Sequence, residues 1–316
     1  MPAAEIRVHS DHAARISSPW GFPLREDIAF TDTRGIERRR LAKRTKRALE
    51  KLQAPLRKIL EPDEVVLYLA RGQIMPGKPE RFLLNVQSHY LSQSALILTN
   101  RRLIDLSLNR TGQWNRNVRS ARWGDIAKAE VTGILYGKLH LEYRAGTKQT
   151  YWRIPKGAAR KMKVLTDVLL PEAVGETSAA LAMASFCPQC LAALSPGVYE
   201  CPVCRLKFKN EKSALLYSLL LPAGGYFYVN LNLWGLLHAF IDLALFSSAF
   251  LWVLAALGRV PPQPTPGGPP GRLACFLLAG VPIAVLALEV WLAIRIARNA
   301  VRNFIPEREV ETSAVR

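Results

Sequence analysis

The sequence CPQC at 187–190 is followed, after a ten-residue arm, by CPVC at 201–204. Each pair places two thiolates on one tight turn, and four thiolates complete a closed tetrahedral shell for Zn²⁺. The proline inside each pair fixes φ and leaves the following amides free to point at sulfur. Because four thiolates leave no open position for water, we predict a structural zinc ion held by Cys187, Cys190, Cys201 and Cys204.

Residues 186–210 resemble the small bacterial zinc-ribbon modules that begin with a CPxC turn. The chain departs from their usual form at Leu191 and Arg205, where the residue after each pair is often glycine. Two other interpretations of the cysteines remain open. Two disulfides would require an oxidising compartment, and a redox C-x-x-C is expected at a strand–helix junction of a βαβ unit, which the pattern here does not contain.

Charge and hydrophobicity are distributed unevenly along the 316 residues. The net charge is +18 and 49% of the residues are hydrophobic, with most of the charge before Lys212 and the long apolar runs after it. A strongly basic chain suggests an anionic partner, either nucleic acid or the negative surface of a bilayer. The pattern predicts an α+β multidomain membrane protein with a polar first part.

The first 60 residues contain a flexible stretch and then a basic helix. Residues 1–33 are irregular in composition, and we predict a flexible N-terminus. Residues 34–60 carry eleven Lys or Arg, and their apolar residues recur at three- and four-residue spacing. This spacing predicts an amphipathic helix, which Pro55 is expected to kink or divide.

Three interpretations of the basic helix are open. Its apolar stripe packs on the next domain while its cations are solvated, or the cations also adhere to anionic lipid, or the helix is a nucleic-acid arm. The membrane context favours lipid over nucleic acid, whose binding we consider unlikely. The lipid or partner contacts would come from Arg38, Arg39, Arg40, Lys43, Arg44, Lys46 and Arg47.

Residues 61–170 have the pattern of a small β domain. Short apolar runs separated by turn residues predict strands over 65–69, 81–86, 94–106 (two strands), 126–131, 137–143 and 149–154. Helical spacing follows over 158–170. Many short strands closed by one helix predict a curled sheet or small barrel capped by that helix. A small-residue linker over 171–185 leads to the ribbon.

The same region resembles the bacterial pleckstrin-homology-like (PH-like) domain. The resemblance rests on LEPDEVV at 60–66, ALILTNRRLIDL at 95–106 and RWGDIAKAEV at 122–131, followed by a glycine-turned strand pair and a terminal helix. It implies a binding and scaffolding module rather than a catalyst. The basic tract over 110–122 departs from the family, and we predict a loop there. The loop is either simply solvated, the interpretation that we favour, or it contacts phosphate, for which Arg116 and Arg119 are further candidates.

The hydrophobic part predicts a two-helix transmembrane anchor. Residues 231–257 and 273–295 are each long and apolar enough to cross a bilayer. Residues 213–230 are broken by Pro222, Gly224 and Gly225, and we predict an interfacial or re-entrant segment. Residues 258–272 form a Pro/Gly-rich extracytoplasmic loop, because clustered cations at both ends of the hydrophobic block place those ends and the basic tail over 296–316 in the cytosol.

Three ionisable residues lie within the predicted spans: His238, Asp242 and Glu289. His238 and Asp242 share a helix face, and His238 and Glu289 lie at nearly one depth of the antiparallel pair. Buried charges need partners in a membrane, so we expect these residues to face each other or another subunit. They serve either as polar contacts between helices or as a proton- or ion-responsive site.

No catalytic motif is present, and we predict that the chain is not an enzyme. The expected protein is a scaffold or adaptor of the bacterial inner membrane whose cytosolic PH-like domain binds a protein partner or anionic lipid. The zinc ribbon would couple that domain to the anchor. The alternatives are an accessory subunit of a membrane transport complex, which would use the intramembrane residues, and a membrane-tethered nucleic-acid binder.

Overall fold

The computed structural model describes residues 19–75, 93–109, 111–173, 177–179, 181–262 and 269–307. These residues form two compact units. The first contains the described residues up to Ser195 together with Cys201–Cys204, and the second contains Pro196–Glu200 and the residues from Arg205 onward. The first unit is mixed α+β and the second is helical.

A nine-stranded antiparallel sheet organises the first unit. Its strands are β1 (Val66–Ile74), β2 (Gln93–Thr99), β3 (Arg102–Leu108), β4 (Trp114–Arg122), β5 (Ile126–Thr132), β6 (Tyr136–Tyr143), β7 (Lys148–Pro155), β8 (Ala184–Phe186) and β9 (Ala193–Leu194). Their order across the sheet is β5-β6-β7-β1-β2-β3-β4-β8-β9. Strands that follow each other in the chain are therefore neighbours, except that β4 pairs with β8 instead of β5, and β7 pairs with β1 instead of β8.

The central strands are buried on both faces. Along β2, Leu96 and Leu98 belong to one core while Ala95 and Ile97 belong to the other, as the two-residue period of a strand requires. The first core also takes side chains from β5–β7 and from α3 (Lys156–Glu172), so the sheet curls around it and α3 closes it. The second core is covered by α2 (Arg39–Ile59).

Residues 19–33, which were predicted to be part of a flexible N-terminus, are ordered. Leu24 is fully buried and forms a parallel bridge with Val66, and the short helix α1 (Glu26–Ala29) follows it. The ammonium group of Lys161, on α3, donates hydrogen bonds to Ile28 O, Thr31 O and Thr31 Oγ1. This segment is therefore part of the core. Residues 1–18 lie outside the described residues.

The basic helix is present and continuous. The expected division at Pro55 is absent: α2 runs unbroken from Arg39 to Ile59, and Pro55 is buried in its apolar stripe. A proline inside a helix removes one backbone hydrogen bond. Here the missing hydrogen bond lies in the C-terminal part of the helix. The helix continues past it because its apolar stripe packs against the sheet, through residues such as Leu49, Leu52 and Leu56.

Most predicted strands are present, and one region is corrected. The loop predicted over 110–122 is corrected for residues 114–122, because β4 occupies Trp114–Arg122 and pairs with β3. Arg110 lies outside the described residues. The strand predicted over 81–86 lies outside the described residues. The linker predicted over 171–185 is partly structured: α3 continues to Glu172, and β8 begins at Ala184.

The second unit contains four helices among its described residues. They are α4 (Glu211–Leu220), α5 (Gly224–Tyr228), α6 (Asn232–Ala256) and α7 (Arg272–Val301). Helices α6 and α7 are long and apolar enough to cross a membrane, with mean hydropathies of 2.0 and 2.4. Helices α4 and α5 are too short to cross. Ala214 of α4 packs on Ala297 and Val301 of α7.

Candidate functional site

The four predicted cysteine ligands lie together in the first unit. Their sulfur atoms are all within 4.8 Å of one another, and no disulfide joins them. Cys187 Sγ lies 3.5 Å from Cys204 Sγ, and Cys190 Sγ lies 3.4 Å from Cys201 Sγ. Four thiolates bound at about 2.3 Å around one tetrahedral ion are about 3.8 Å apart. The cluster therefore has the size and the donor set of a metal site.

The backbone of both turns supports sulfur ligands. Burial raises the pKa of the Cys187 thiol, although the amides of Cys190 and Gln189 hydrogen-bond to its sulfur. Burial also raises the pKa of the Cys201 thiol, but hydrogen bonds from the amides of Cys204 and Val203, and from neighbouring thiols, lower it to about 7. Amides that point at sulfur in this way stabilise a thiolate ligand.

The two turns end in the same unusual conformation. Leu191, after the first pair, has φ 60°, and Arg205, after the second, has φ 55°. Both angles are left-handed, where glycine is the unstrained residue. Leu191 and Arg205, the two positions where the resemblance to zinc-ribbon modules would place glycine, thus have a backbone conformation that suits glycine.

The cysteine cluster is continuous with the sheet. Strand β8 ends at Phe186, immediately before Cys187, and pairs with β4 through Val118 and Phe186. Phe186 and Leu191 also pack against the second core. The first cysteine turn is therefore a direct continuation of the sheet.

The cations of α2 are displayed on its exposed face. Arg38 pairs with Asp32 at 3.1 Å, and Lys46 Nζ lies 5.0 Å from the centroid of the Phe30 ring. Apart from Arg38, the predicted cations of α2 have no acidic partner among the residues that the structure describes. They are all exposed: Arg39, Arg40, Lys43, Arg44, Lys46 and Arg47.

The two arginines predicted on the loop over 110–122 lie on β4 instead. Arg116 is partly exposed. Arg119 forms an ion pair with Asp105, whose side chain is fully buried, and the hydroxyl of Tyr151 donates to Asp105 Oδ2 at 2.8 Å. Arg119 is thus a core residue of the sheet, and it is removed from the candidate phosphate contacts.

The ionisable residues of the second unit separate into two contacts. His238 Nδ1 lies 2.8 Å from Glu289 Oε2, which joins α6 to α7, and the ring of Tyr226 stacks on His238 with centroids 4.6 Å apart. Asp242 is buried, and its Oδ2 accepts a hydrogen bond from the amide of Ala223 at 2.8 Å. Asp242 therefore fastens the turn before α5 to α6.

Sequence reasoning missed one exposed apolar feature. Ile134 and Leu135 are each 83% exposed, and Tyr136 is 62% exposed, at the turn between β5 and β6. Turns between exposed strands are normally polar. The signal was available in the sequence as three consecutive apolar residues directly after Gly133, a turn residue.

Comparison with known proteins returned no relationship: no family model, no curated protein and no solved structure matches the chain.

Proposed function

We propose that the chain is a non-catalytic, membrane-anchored scaffold of the bacterial inner membrane. In this proposal residues 61–170 are a PH-like domain on the cytosolic side that binds anionic lipid or a protein partner. The observation that carries it is the face of α2, where six exposed cations have no acidic partner among the described residues.

The apolar stripe of α2 is already used in the second core, through residues such as Leu49 and Leu52. The helix therefore has no apolar face left to insert into lipid, and its contact with a bilayer would be electrostatic. Each cation near an anionic membrane surface contributes about 1 kcal/mol. Six such cations are sufficient to hold a tethered domain against the bilayer, with a strength that falls as salt increases.

The cysteine cluster supports a structural zinc ion. Zinc prefers tetrahedral thiolate ligands, and a shell of four leaves no position for a reacting water molecule. Because the first turn continues β8, the ion would stiffen the segment that leads from the domain to the rest of the chain. Cys187, Cys190, Cys201 and Cys204 would hold it as thiolates, and its role in this proposal is mechanical.

The second unit supports a two-helix anchor whose ends lie on one side. Phe208 forms a bridge with Pro306, and the amide of Lys209 donates to Ile305 O at 2.8 Å. Arg302 pairs with Glu211 at 3.1 Å. Contacts between the segment before α4 and the segment after α7 support a proposal in which the chain crosses twice and returns to the same side. Positive charge at both ends favours the cytosol for that side.

The test is native mass spectrometry of the full chain released from the membrane in mild detergent. Retention of anionic lipid, lost when Arg39, Arg40 and Lys43 are all changed to Glu, supports the lipid-binding form of the proposal. Retention of a cytosolic protein that is lost in the same variant supports the partner-binding form. A chain that retains neither, or retains them equally in the variant, contradicts the proposal.

One observation favours a second candidate, an accessory subunit of a membrane transport complex. The hydrogen bond between His238 and Glu289 places two ionisable groups between α6 and α7, and such groups in membrane spans commonly mark ion or proton pathways. This candidate predicts a stoichiometric membrane partner in the same experiment. It also predicts that Glu289→Gln changes a pH-dependent transport activity of the complex without removing the subunit.

A further inference from the structure

The turn between β5 and β6 presents apolar side chains to solvent on a fixed backbone. Ile134 and Leu135 are 83% exposed, and Tyr136 is 62% exposed. Gly133 has φ +106°, and a Cβ at that position would lie 2.1 Å from Tyr136 O. The turn thus requires glycine. The close approach of the Gly133 backbone to Tyr136 O holds the three apolar residues at the end of the hairpin. We call these three residues the apolar tip.

Exposed cations surround the apolar tip. A surface cavity of about 370 Å³ is lined by Ile134 together with Lys156, Arg160 and Lys163 of α3. Gly137, at the base of the tip, fixes this arrangement because a Cβ there would lie 2.1 Å from Ala159 Cβ. Lys163 is 4.0 Å from Asp167. No acidic partner of Lys156 or Arg160 is found within the described ranges.

The apolar tip and the cations of α2 belong to neighbouring surfaces of the first unit. A second cavity, of about 340 Å³, is lined by Arg38 and Arg44 on the α2 side and by Gly157 and Lys161 on the α3 side. The start of α3 is thus flanked by α2 on one side and by the tip on the other. Exposed cations therefore lie on both sides of the start of α3, with Arg38 and Arg44 on the α2 side and Arg160 on the side of the tip.

We propose that Ile134, Leu135 and Tyr136 insert into the interfacial layer of an anionic bilayer while Lys156 and Arg160 contact lipid phosphates. This inference rests on the proposed function and names the site of membrane contact. A convex apolar end surrounded by cations matches a bilayer surface, where acyl chains lie below a layer of phosphate. The chain also carries two helices apolar enough to span a membrane, which would keep the bilayer within reach.

The experiment uses the full chain in nanodiscs with a photocrosslinking residue, p-benzoylphenylalanine, in place of Leu135. The matched control carries it in place of Ala145, which is exposed in the turn between β6 and β7 at the opposite end of β6. Crosslinked products are identified by mass spectrometry. We expect lipid adducts from position 135 and none above background from position 145, in nanodiscs that contain phosphatidylglycerol.

The second part of the experiment tests the cations beside the apolar tip, Lys156 and Arg160. Adding Lys156→Glu and Arg160→Glu to the crosslinking chain should lower the lipid adduct yield, by at least about fivefold for each cation removed when binding is not saturated. Lys148→Glu, near the opposite end of the hairpin, should leave the yield unchanged. Equal lipid yields from positions 135 and 145 would overturn the inference, and so would adducts from 135 to protein alone.

Failure of this inference is separable from failure of the proposed function. Anionic lipid retained in a manner that depends on Arg39, Arg40 and Lys43, without lipid adducts at 135, leaves the scaffold proposal standing and removes insertion. Lipid adducts at position 135, without retention of lipid that depends on Arg39, Arg40 and Lys43, support insertion of the apolar tip and contradict the proposed role of α2.

Discussion

The buried ion pair between Asp105 and Arg119 gives the sharpest stability prediction. The side chain of Asp105 is fully buried, and that of Arg119 is 14% exposed. Asp105→Ala leaves the guanidinium of Arg119 buried without its partner, which costs about 3–5 kcal/mol. It also removes the acceptor for the Tyr151 hydroxyl, a hydrogen bond of 2.8 Å whose loss costs about 1 kcal/mol.

The expected loss for Asp105→Ala is thus about 4–6 kcal/mol, a large share of the roughly 5–15 kcal/mol that stabilises a typical domain. Replacing both partners, as Asp105→Leu with Arg119→Met, leaves no unpaired charge and should cost far less than either single change. A double-mutant cycle should therefore show a coupling free energy of about 3 kcal/mol between the two positions.

The assay is pulse proteolysis in urea, applied to the full chain in detergent micelles. It reports unfolding of the first unit. A cost below about 0.5 kcal/mol for Arg119→Met, the level of an ordinary surface substitution, would refute the reasoning. If that variant also bound anionic lipid more weakly at unchanged stability, Arg119 would be the phosphate contact that the sequence predicts and β4 would be misassigned.

Cys201→Ser should lower bound zinc below one ion per chain by elemental analysis and speed hydrogen exchange in β8, whereas Cys275→Ser, outside the cluster, should change neither. Burial lowers the pKa of Lys161 to about 8 from 10.5, so above pH 8 the folded chain releases a proton that the unfolded chain retains. The unfolding free energy should therefore rise by about 1.5 kcal/mol between pH 8 and 9.5, and Lys161→Met should abolish this rise in urea titrations at the two pH values. A Cβ at Gly225 would lie 2.8 Å from Ala293 O, so Gly225→Val should separate α5 from α7 and increase proteolysis near α5, while Gly280→Val, with open space around it, should not.

Local sequence pattern was sufficient to predict the elements that have a recognisable spacing of cysteines or of apolar residues. The C-x-x-C spacing alone predicted the sulfur cluster. The alternation and the turn in ALILTNRRLIDL predicted β2 and β3 because both strands are apolar on the faces they bury. The helical spacing of residues 41–59 likewise predicted α2, since its apolar stripe and its cations separate on the helix surface.

The features that were missed depend on contacts between distant residues. Strand β4 contains four charged or amide residues among its first six, and Arg119 is tolerated in the sheet only because Asp105, on the neighbouring strand, pairs with it. Residues 19–33 have little periodicity, and their order comes from the bridge of Leu24 to Val66 and from the ammonium of Lys161. No local rule reveals such partners before the fold is known.

The most direct test of the central claim, that α2 holds the first unit against an anionic bilayer, is lysine footprinting of the full chain in nanodiscs. Acetylation rates of Lys43 and Lys46 are compared between neutral discs and discs with about 30% anionic lipid, with the exposed Lys148 as internal control. We predict severalfold slower modification of Lys43 and Lys46 in anionic discs, reversed at about 0.5 M salt, and no change at Lys148. Equal rates at Lys43 and Lys46 in both kinds of disc at low salt would contradict the account.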